Sequence, residues 1–409
     1  MVLIEKWSAL GGNLSAVVLM ILGFHTVDGR QVVGGLGQDI VDRLVAAGGS
    51  PGHVPGLFGP KSTLVPYDPV VMNHVLFELV KEHNVGVFLH SAVTDVLMED
   101  DRVAGAFVQE RSGTGLVLAS CIVDCSGDAD VAFLSGAPFT VGRPKDGVTQ
   151  PLGHSFIMAN VDTDRLRAFL RDNPRHVRLG NVTDEQISVA GFADLISAYP
   201  GYAGRDEIDL FTLPRPGTVL VNATRIRGRS GLSTHDLSRA EAEGTQQVLK
   251  IAEFLCARVP GFENAFVAAM SARAGIRETR HIVGGYTLTR DDCLAGATFD
   301  DGIARGAYPI DIHDPDSGTV ILTHIGGDGA YDIPYRCLVP QGVEQLIVAG
   351  RPISASHEAH GSLRVMATCM AMGEAAGTAA ALSVRLGVSP RELDPKVLRR
   401  RLRERGAIV

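Results

Sequence analysis

Leu346-Ile347-Val348-Ala349-Gly350-Arg351 is an unbroken apolar run that ends on a glycine and a cation. Such a run reads as a strand buried on both faces, and glycine at its exit allows a turn that a side chain would obstruct. A strand is therefore expected over residues 345–349. Ser354, Ser356, His357, His360, Gly361, Ser362 and Arg364 follow as a polar, histidine-rich lead-in. The spacing then predicts a helix over 364–386, crowded with Gly373, Ala375, Ala376, Gly377, Ala379, Ala380 and Ala381. Strand, glycine turn and helix form the unit of an open α/β sheet, which takes ligands at the carboxyl ends of its strands. The first amides of the helix and its dipole suit an anion there. A tightly packed core helix explains the alanines equally well, but not the polar lead-in.

Three further stretches have related character. Ile122-Val123-Asp124-Cys125 is a second buried strand, stopping at Ser126-Gly127-Asp128. Val2-Leu3-Ile4-Glu5-Lys6 is a short strand ending in charge, with Gly11-Gly12-Asn13 soon after. In a dinucleotide-binding unit an acidic residue at a strand end bonds a ribose hydroxyl. Paired glycines let the backbone approach a ring or phosphate. A surface glutamate before an ordinary loop gives the same letters. Ile276-Arg277-Glu278-Thr279-Arg280-His281 holds three potential cations, suited to anion recognition or proton transfer. A solvated face with Glu278 as internal partner is the alternative.

Elsewhere, helices are expected over 38–47 and over 69–83, the latter capped by Asp68 with Pro69 in its first turn. Residues 52–66 read as loop, and 14–24 as an apolar run of eleven. Strand signals at 85–89, 92–98, 103–109 and 115–119 form a meander with a turn at Ser112-Gly113. The middle of the chain changes character, with helices expected over 162–172 and 236–259 and a strand over 219–222. A basic helix closes the chain over 395–404.

The chain has 409 residues and a net charge of −8, so no basic surplus points to nucleic acid. Its length suits two domains. The 47 glycines have no short period, which fits tight turns rather than a fibrous repeat. The six cysteines show neither CxxC nor zinc spacing, so no metal is expected and the thiols read as reduced, in a cytoplasmic protein. The 14–24 run lacks an A-x-A site and Glu5 precedes it, against a secretory signal. No run reaches membrane-spanning length.

Taken in order, these motifs resemble the FAD-dependent oxidoreductase family that is similar to the flavoprotein subunits of fumarate reductase and heterodisulfide reductase. The likeness rests on Leu3-Ile4-Glu5-Lys6 with Gly11-Gly12-Asn13; Tyr67-Asp68-Pro69; residues 124–132; Val221-Asn222-Ala223-Thr224-Arg225; residues 275–280; residues 308–314; Tyr335-Arg336; and Ala349-Gly350-Arg351 through residues 364–370. It implies an α/β fold in which a Rossmann-like FAD/NAD(P)-binding domain, a three-layer unit with a parallel sheet and a β-meander, is interrupted by an α+β substrate domain. The expected division is 1–147 with 335–388 for FAD, 148–334 for the substrate, and 389–409 as a terminal helix.

The resemblance implies that Glu5, with Lys6 beside it, holds the adenosine ribose. The Gly11-Gly12-Asn13 loop would lie along the pyrophosphate and flavin, with Ser126, Gly127 and Asp128 close by. Gly350, Arg351, Ser362, Arg364, Met366 and Thr368 would meet the ribityl chain and ring. Two-electron transfer to or from a small organic substrate follows from the resemblance alone. His357 and His360 are the expected proton handlers, and Arg277, Arg280 and His281 the expected substrate anchors. No nucleic acid or membrane partner is expected; a homo-oligomer or an electron-transfer partner stays open.

The family opens with an apolar strand, GxGxxG and a helix, the glycines lying about 20 residues before the acidic residue. This chain opens at the later, Glu-bearing strand, so the expectation is that this first unit, about 30 residues, is missing. A truncated, non-catalytic member that binds a partner or substrate without flavin is the second reading. A dehydrogenase using NAD alone is the third, and it leaves the late helix unexplained.

Overall fold

The computed structural model describes residues 1–16, 19–59, 61–317 and 319–409. Val17 and Val18 of the apolar run, Pro60 of the expected loop and Gly318 of the middle segment lie outside the described residues.

The fold is mixed α/β, with parallel and antiparallel sheets. Among the described residues, two strand pairs are parallel. Val2–Ile4 pairs with Gly86–Phe88, and Leu346–Val348 pairs with Ile122–Asp124. Both apolar runs from the sequence are therefore strands, as their composition requires. The meander forms from Ala92–Glu99, Arg102–Glu110 and Gly113–Leu118. Pro69–Glu82 is a helix capped by the Asp68 carboxylate, which accepts from Val70 N at 2.8 Å.

The middle of the chain builds a six-stranded antiparallel sheet. Its spatial order is Val177–Val182, Ile187–Gly191, Ile208–Thr212, Val219–Asn222, Ser155–Ala159 and Phe266–Met270. Alternation divides its side chains between two faces. Val189, Leu210 and Val221 pack under the helices Thr163–Asp172 and Thr234–Arg258, against Leu166, Leu170, Ile251 and Phe254. Ala190, Phe211 and Leu220 point the other way, toward Met20, Leu57 and Leu64.

The cores divide the chain differently from the expected 148–334 boundary. Leu288, Ile303, Ile310, Tyr331 and Ile333 share one core with Ile347, Ala375, Ala379 and the terminal helix residues Leu398 and Leu402. The sheet's own core runs from Phe156 to Phe262. The terminal helix Pro395–Glu404 is therefore part of the core that contains Ile347 and Ala375, its two leucines fully buried. Each such burial is worth about 1.5–3 kcal/mol.

Local departures have local causes. Residues 14–24 contain a short helix, Asn13–Ala16, and a strand, Ile21–Leu22. The expected loop 52–66 contains Val54–Pro55 and Thr63–Val65, which pair with each other, and Thr63–Val65 also pairs with Ile21–Leu22. The expected helix over 364–386 is present as Met366–Leu386, and the polar lead-in before it holds a further helix, His357–Leu363, set at 93° to it. Val365 is extended at the break, and the Arg364 guanidinium is drawn to Asp311. Gly361 lies so close to the 310–313 strand that a Cβ would stand 2.7 Å from Ile312 Cδ1. No single helix among the described residues is long and apolar enough to cross a membrane.

Candidate functional site

A cavity lies between the Ala190 and Phe211 face of the six-stranded sheet and the bend at 364–366. Leu179, Ala190, Phe211 and Asn222 form its sheet wall; Asn13, Arg351, Arg364, Val365 and Met366 form the opposite wall. Tyr308, Asp311 and His313 enter from a third side. Asp311 and His313 share one face of the strand Ile310–His313 by two-residue alternation.

Five arginines line the cavity, Arg178, Arg205, Arg277, Arg351 and Arg364, against two aspartates, Asp209 and Asp311. The aspartates are already engaged. Arg205 donates to Asp209 at 2.6 Å, and Asn222 donates to the same oxygen at 3.0 Å. Arg364 donates to the Asp311 carboxylate at 3.0 Å, and His313 lies 3.5 Å from that oxygen. Burial pushes the Asp311 carboxyl up, but His313, Arg364 and Arg205 outweigh it and hold the group well below the usual carboxylate range.

Arg277 has no such carboxylate. It donates to the Pro151 carbonyl at 2.6 Å. Burial, then repulsion from Arg364, Arg205 and Arg225, lowers its pKa to about 9. Arg225 behaves likewise, lowered to about 10 by burial and by Arg205, with carbonyls as its main acceptors. A buried guanidinium surrounded by its own kind is stabilised by a bound anion.

A second cluster lies behind this wall, among residues that do not line the cavity. Glu278 Oε1 is 3.1 Å from His281 Nε2 and 2.8 Å from His357 Nδ1. Its Oε2 accepts from Gln150 N at 2.9 Å. The His281 and His360 rings meet edge to face, their centroids 4.6 Å apart. Burial pushes the Glu278 carboxyl up, yet the bonds from His281 and His357 hold it far below its ordinary value. Burial, with His281 beside it, keeps His360 neutral well below the usual imidazole range.

The expected residues thus fall into three groups. Asn13, Arg277, Arg351, Arg364 and Met366 meet at the cavity. His281, His357 and His360 lie in the buried cluster around Glu278, away from the cavity lining. Arg280 is held at the cavity's flank. It donates to the Asp128 carbonyl and the Asp130 carboxylate and lies over the Phe133 ring at 4.2 Å. Ser362 donates to Tyr308 O and accepts from Tyr331, so its one proton is already given within the protein.

At the end of the first strand, Glu5 accepts from Trp7 N at 2.9 Å and Lys6 lies 3.7 Å from Asp130. Asp128 joins this edge to the late turn by accepting from Arg351 at 3.0 Å and from Thr279 at 2.9 Å. Arg273, stacked on Trp7, feels Glu5, Asp128 and Arg351 together, so the acidic tip of the first strand and the mouth of the late helix belong to one charged network. Ser126 caps the following turn by accepting from Asp130 N.

The residues fit FAD. Gly12 has positive φ and faces open space. At Gly127, also at positive φ, a Cβ would stand 2.8 Å from the Arg351 guanidinium. Gly350 turns at φ +88°. Arg351 Nη1, Arg364 Nε and Thr368 Oγ1 are buried donors without a partner among the described residues, as a site built for an external acceptor requires.

Sequence reading missed Arg205, Asp209, Asp311 and His313 as site residues. The D-x-H spacing of 311–313 on an apolar strand was the available signal.

A model of the family described as FAD dependent oxidoreductase matches residues 1–402. No curated protein matches at a significant level. Among solved structures, p-nitrophenol 4-monooxygenase PnpA from Pseudomonas putida DLL-E4 is similar at 12% identity and TM-score 0.46, over 95% of this chain and 75% of that one. The flavin-dependent brominase Bmp2 is similar at 12% identity and TM-score 0.47, over 98% of this chain and 76% of that one. A geranylgeranyl bacteriochlorophyll reductase-like protein from Thermoplasma acidophilum has 12% identity and TM-score 0.39, over 85% of this chain and 62% of that one.

Proposed function

The chain belongs to the FAD-dependent oxidoreductase family, and on that premise we propose that it moves a hydride between bound FAD and a small organic substrate carrying a carboxylate. The observation that carries the substrate class is the uncompensated cation Arg277, buried in a cavity with five arginines and two aspartates. A neutral ligand would leave that repulsion in place; a carboxylate relieves it through paired, charge-assisted bonds.

FAD supplies the site that accepts or donates the electron pair. Glu5, Gly12, Gly127, Gly350, Arg351 and Thr368 would hold it. Arg277 fixes the substrate's carboxylate, and Arg364 is kept in place by Asp311. Phe211, Leu179 and Met366 exclude water from the apolar part of the substrate. The proton that accompanies the hydride must pass through a titratable group in contact with the substrate. Asp311 and His313 meet that condition by lining the cavity, whereas His357 and His360 do not, so we assign the proton to the Asp311–His313 pair.

The test is anaerobic reduction of the FAD-loaded protein by a panel of small carboxylic acids and their matching amides. Bleaching of the flavin's visible absorbance by acids and not by amides is the expected result. Equal bleaching by both would overturn the substrate class.

A further inference from the structure

We propose that Glu278, His281 and His360 bind one divalent first-row metal ion, with Zn²⁺ the best-fitting occupant, in the dry interior behind the cavity. The site is assembled from two short motifs. Glu278 and His281 are three residues apart at the start of the strand Arg280–Ile282, and His357 and His360 are three apart on the helix His357–Leu363. Folding presses the two elements together, which explains why the spacing of neither motif announced a metal.

Three observations converge. One ligand atom from each of Glu278, His281 and His360 lies within 4.8 Å of the others. Two donors on a tetrahedral zinc, each about 2.0–2.2 Å from the ion, stand about 3.3–3.5 Å apart. The 3.1 Å hydrogen bond between Glu278 Oε1 and His281 Nε2 is slightly shorter than that, so an ion displaces the proton between them, spreads this pair a little and draws His360 in from within 4.8 Å.

The second observation is unmet bonding. All three residues are about 1% exposed or less, yet neither ring nitrogen of His360 has a partner among the described residues. A neutral imidazole always presents one bare acceptor nitrogen. Burying it unmatched is costly, and a metal satisfies it directly.

The third is an outer layer of the kind that orients metal ligands. His357 donates or shares a proton with Glu278 Oε1 at 2.8 Å, and Gln150 N donates to Oε2 at 2.9 Å. Two imidazoles and one carboxylate select zinc, iron or manganese over magnesium or calcium. The ion would pin the 357–363 helix to the 276–282 segment and so steady Arg277, the residue next to Glu278. Its role is positioning, and it stands whether or not the carboxylate reading of the cavity holds.

The experiment is elemental analysis of the whole protein, purified without chelators from cells grown with added zinc and again after refolding with Zn²⁺, Mn²⁺ or Fe²⁺. About one ion per chain is expected, and Co²⁺ in its place should give the intense visible bands of a low-symmetry site. His360→Ala should lose the ion while keeping bound FAD. His357→Asn should weaken retention about 10–100-fold against a competing chelator. Metal at background in every wild-type preparation, with a melting temperature indifferent to all three ions, would overturn the proposal. That wild-type measurement decides even if the variants fail to fold. Loss of metal that leaves the acid-over-amide preference unchanged would overturn the positioning role, whereas a metal-loaded wild type bleached equally by acids and amides would overturn the substrate class alone.

Discussion

Arg277 and Glu278 are neighbours in the chain and open onto opposite environments. Arg277 faces a cavity where cations outnumber anions, and it has only a carbonyl for company. Glu278 faces a dry interior where two imidazoles and a backbone amide all approach one carboxylate. The first arrangement is incomplete without a ligand and destabilises the folded chain on its own. The second ties two distant elements together. Burial alone therefore does not tell function from support; what decides is whether the buried charge is matched from within. Gln150 joins the two regions, its amide on Glu278 and its side-chain oxygen on His313 N at 3.1 Å.

The strongest way to break this contrast is to exchange the outcomes of the two substitutions. Glu278→Ala removes the acceptor of three buried bonds, and breaking a buried charge cluster from one side costs about 3–5 kcal/mol. Chemical denaturation should register that loss. Arg277→Met removes a like-charged neighbour, so stability should hold or rise by on the order of 1 kcal/mol. Its kcat/KM should fall about 10²–10³-fold, the effect of deleting one positioned donor to a charged oxygen. If Arg277→Met unfolds the protein and Glu278→Ala spares it, the two roles are reversed.

A smaller effect sharpens the same point. An anion that fills the cavity should stabilise the wild type by about 2.7 kcal/mol at a hundred times its dissociation constant. Thermal shift with a small dicarboxylate should reveal the gain in wild type and its absence in Arg277→Met. Equal stabilisation of both would place the anion elsewhere.

The contrast also explains what the sequence made legible. The strands Val2–Ile4 and Leu346–Val348, the Asp68-capped helix and the meander follow from local composition, periodicity and capping, and all are present. The helix His357–Leu363 ahead of Met366–Leu386 was not legible, because what holds it is tertiary: Arg364 at its end reaches Asp311, and Gly361 presses on Ile312. His357 and His360 read as a polar lead-in because nothing local shows that they lie inside a helix facing Glu278. Arg205, Asp209 and Asp311 each resemble a solvated charge until the sheet and the 310–313 strand bring them to one cavity. Arg277 was singled out as part of a cationic run, but only the fold separates it from Arg280 and His281.

The smallest expected effect supplies the exposed counterpart to both buried regions. Lys6 and Asp130 are 3.7 Å apart, with side chains 41% and 39% exposed. Solvent screens such a pair, so Lys6→Ala should change stability by less than about 1 kcal/mol. Asp130 also keeps Arg280 at 3.1 Å, so no charge is stranded when Lys6 is removed. If Lys6 lies beside the cofactor's ribose, as the family resemblance implies, the same variant should bind FAD more weakly while melting almost unchanged, and added salt should narrow the difference in affinity. Titrating the apoprotein with FAD at two ionic strengths checks this. A large stability loss with unaltered FAD affinity would mean that this surface pair belongs with Glu278 as support, and that the line between matched and unmatched charge does not follow burial in this fold.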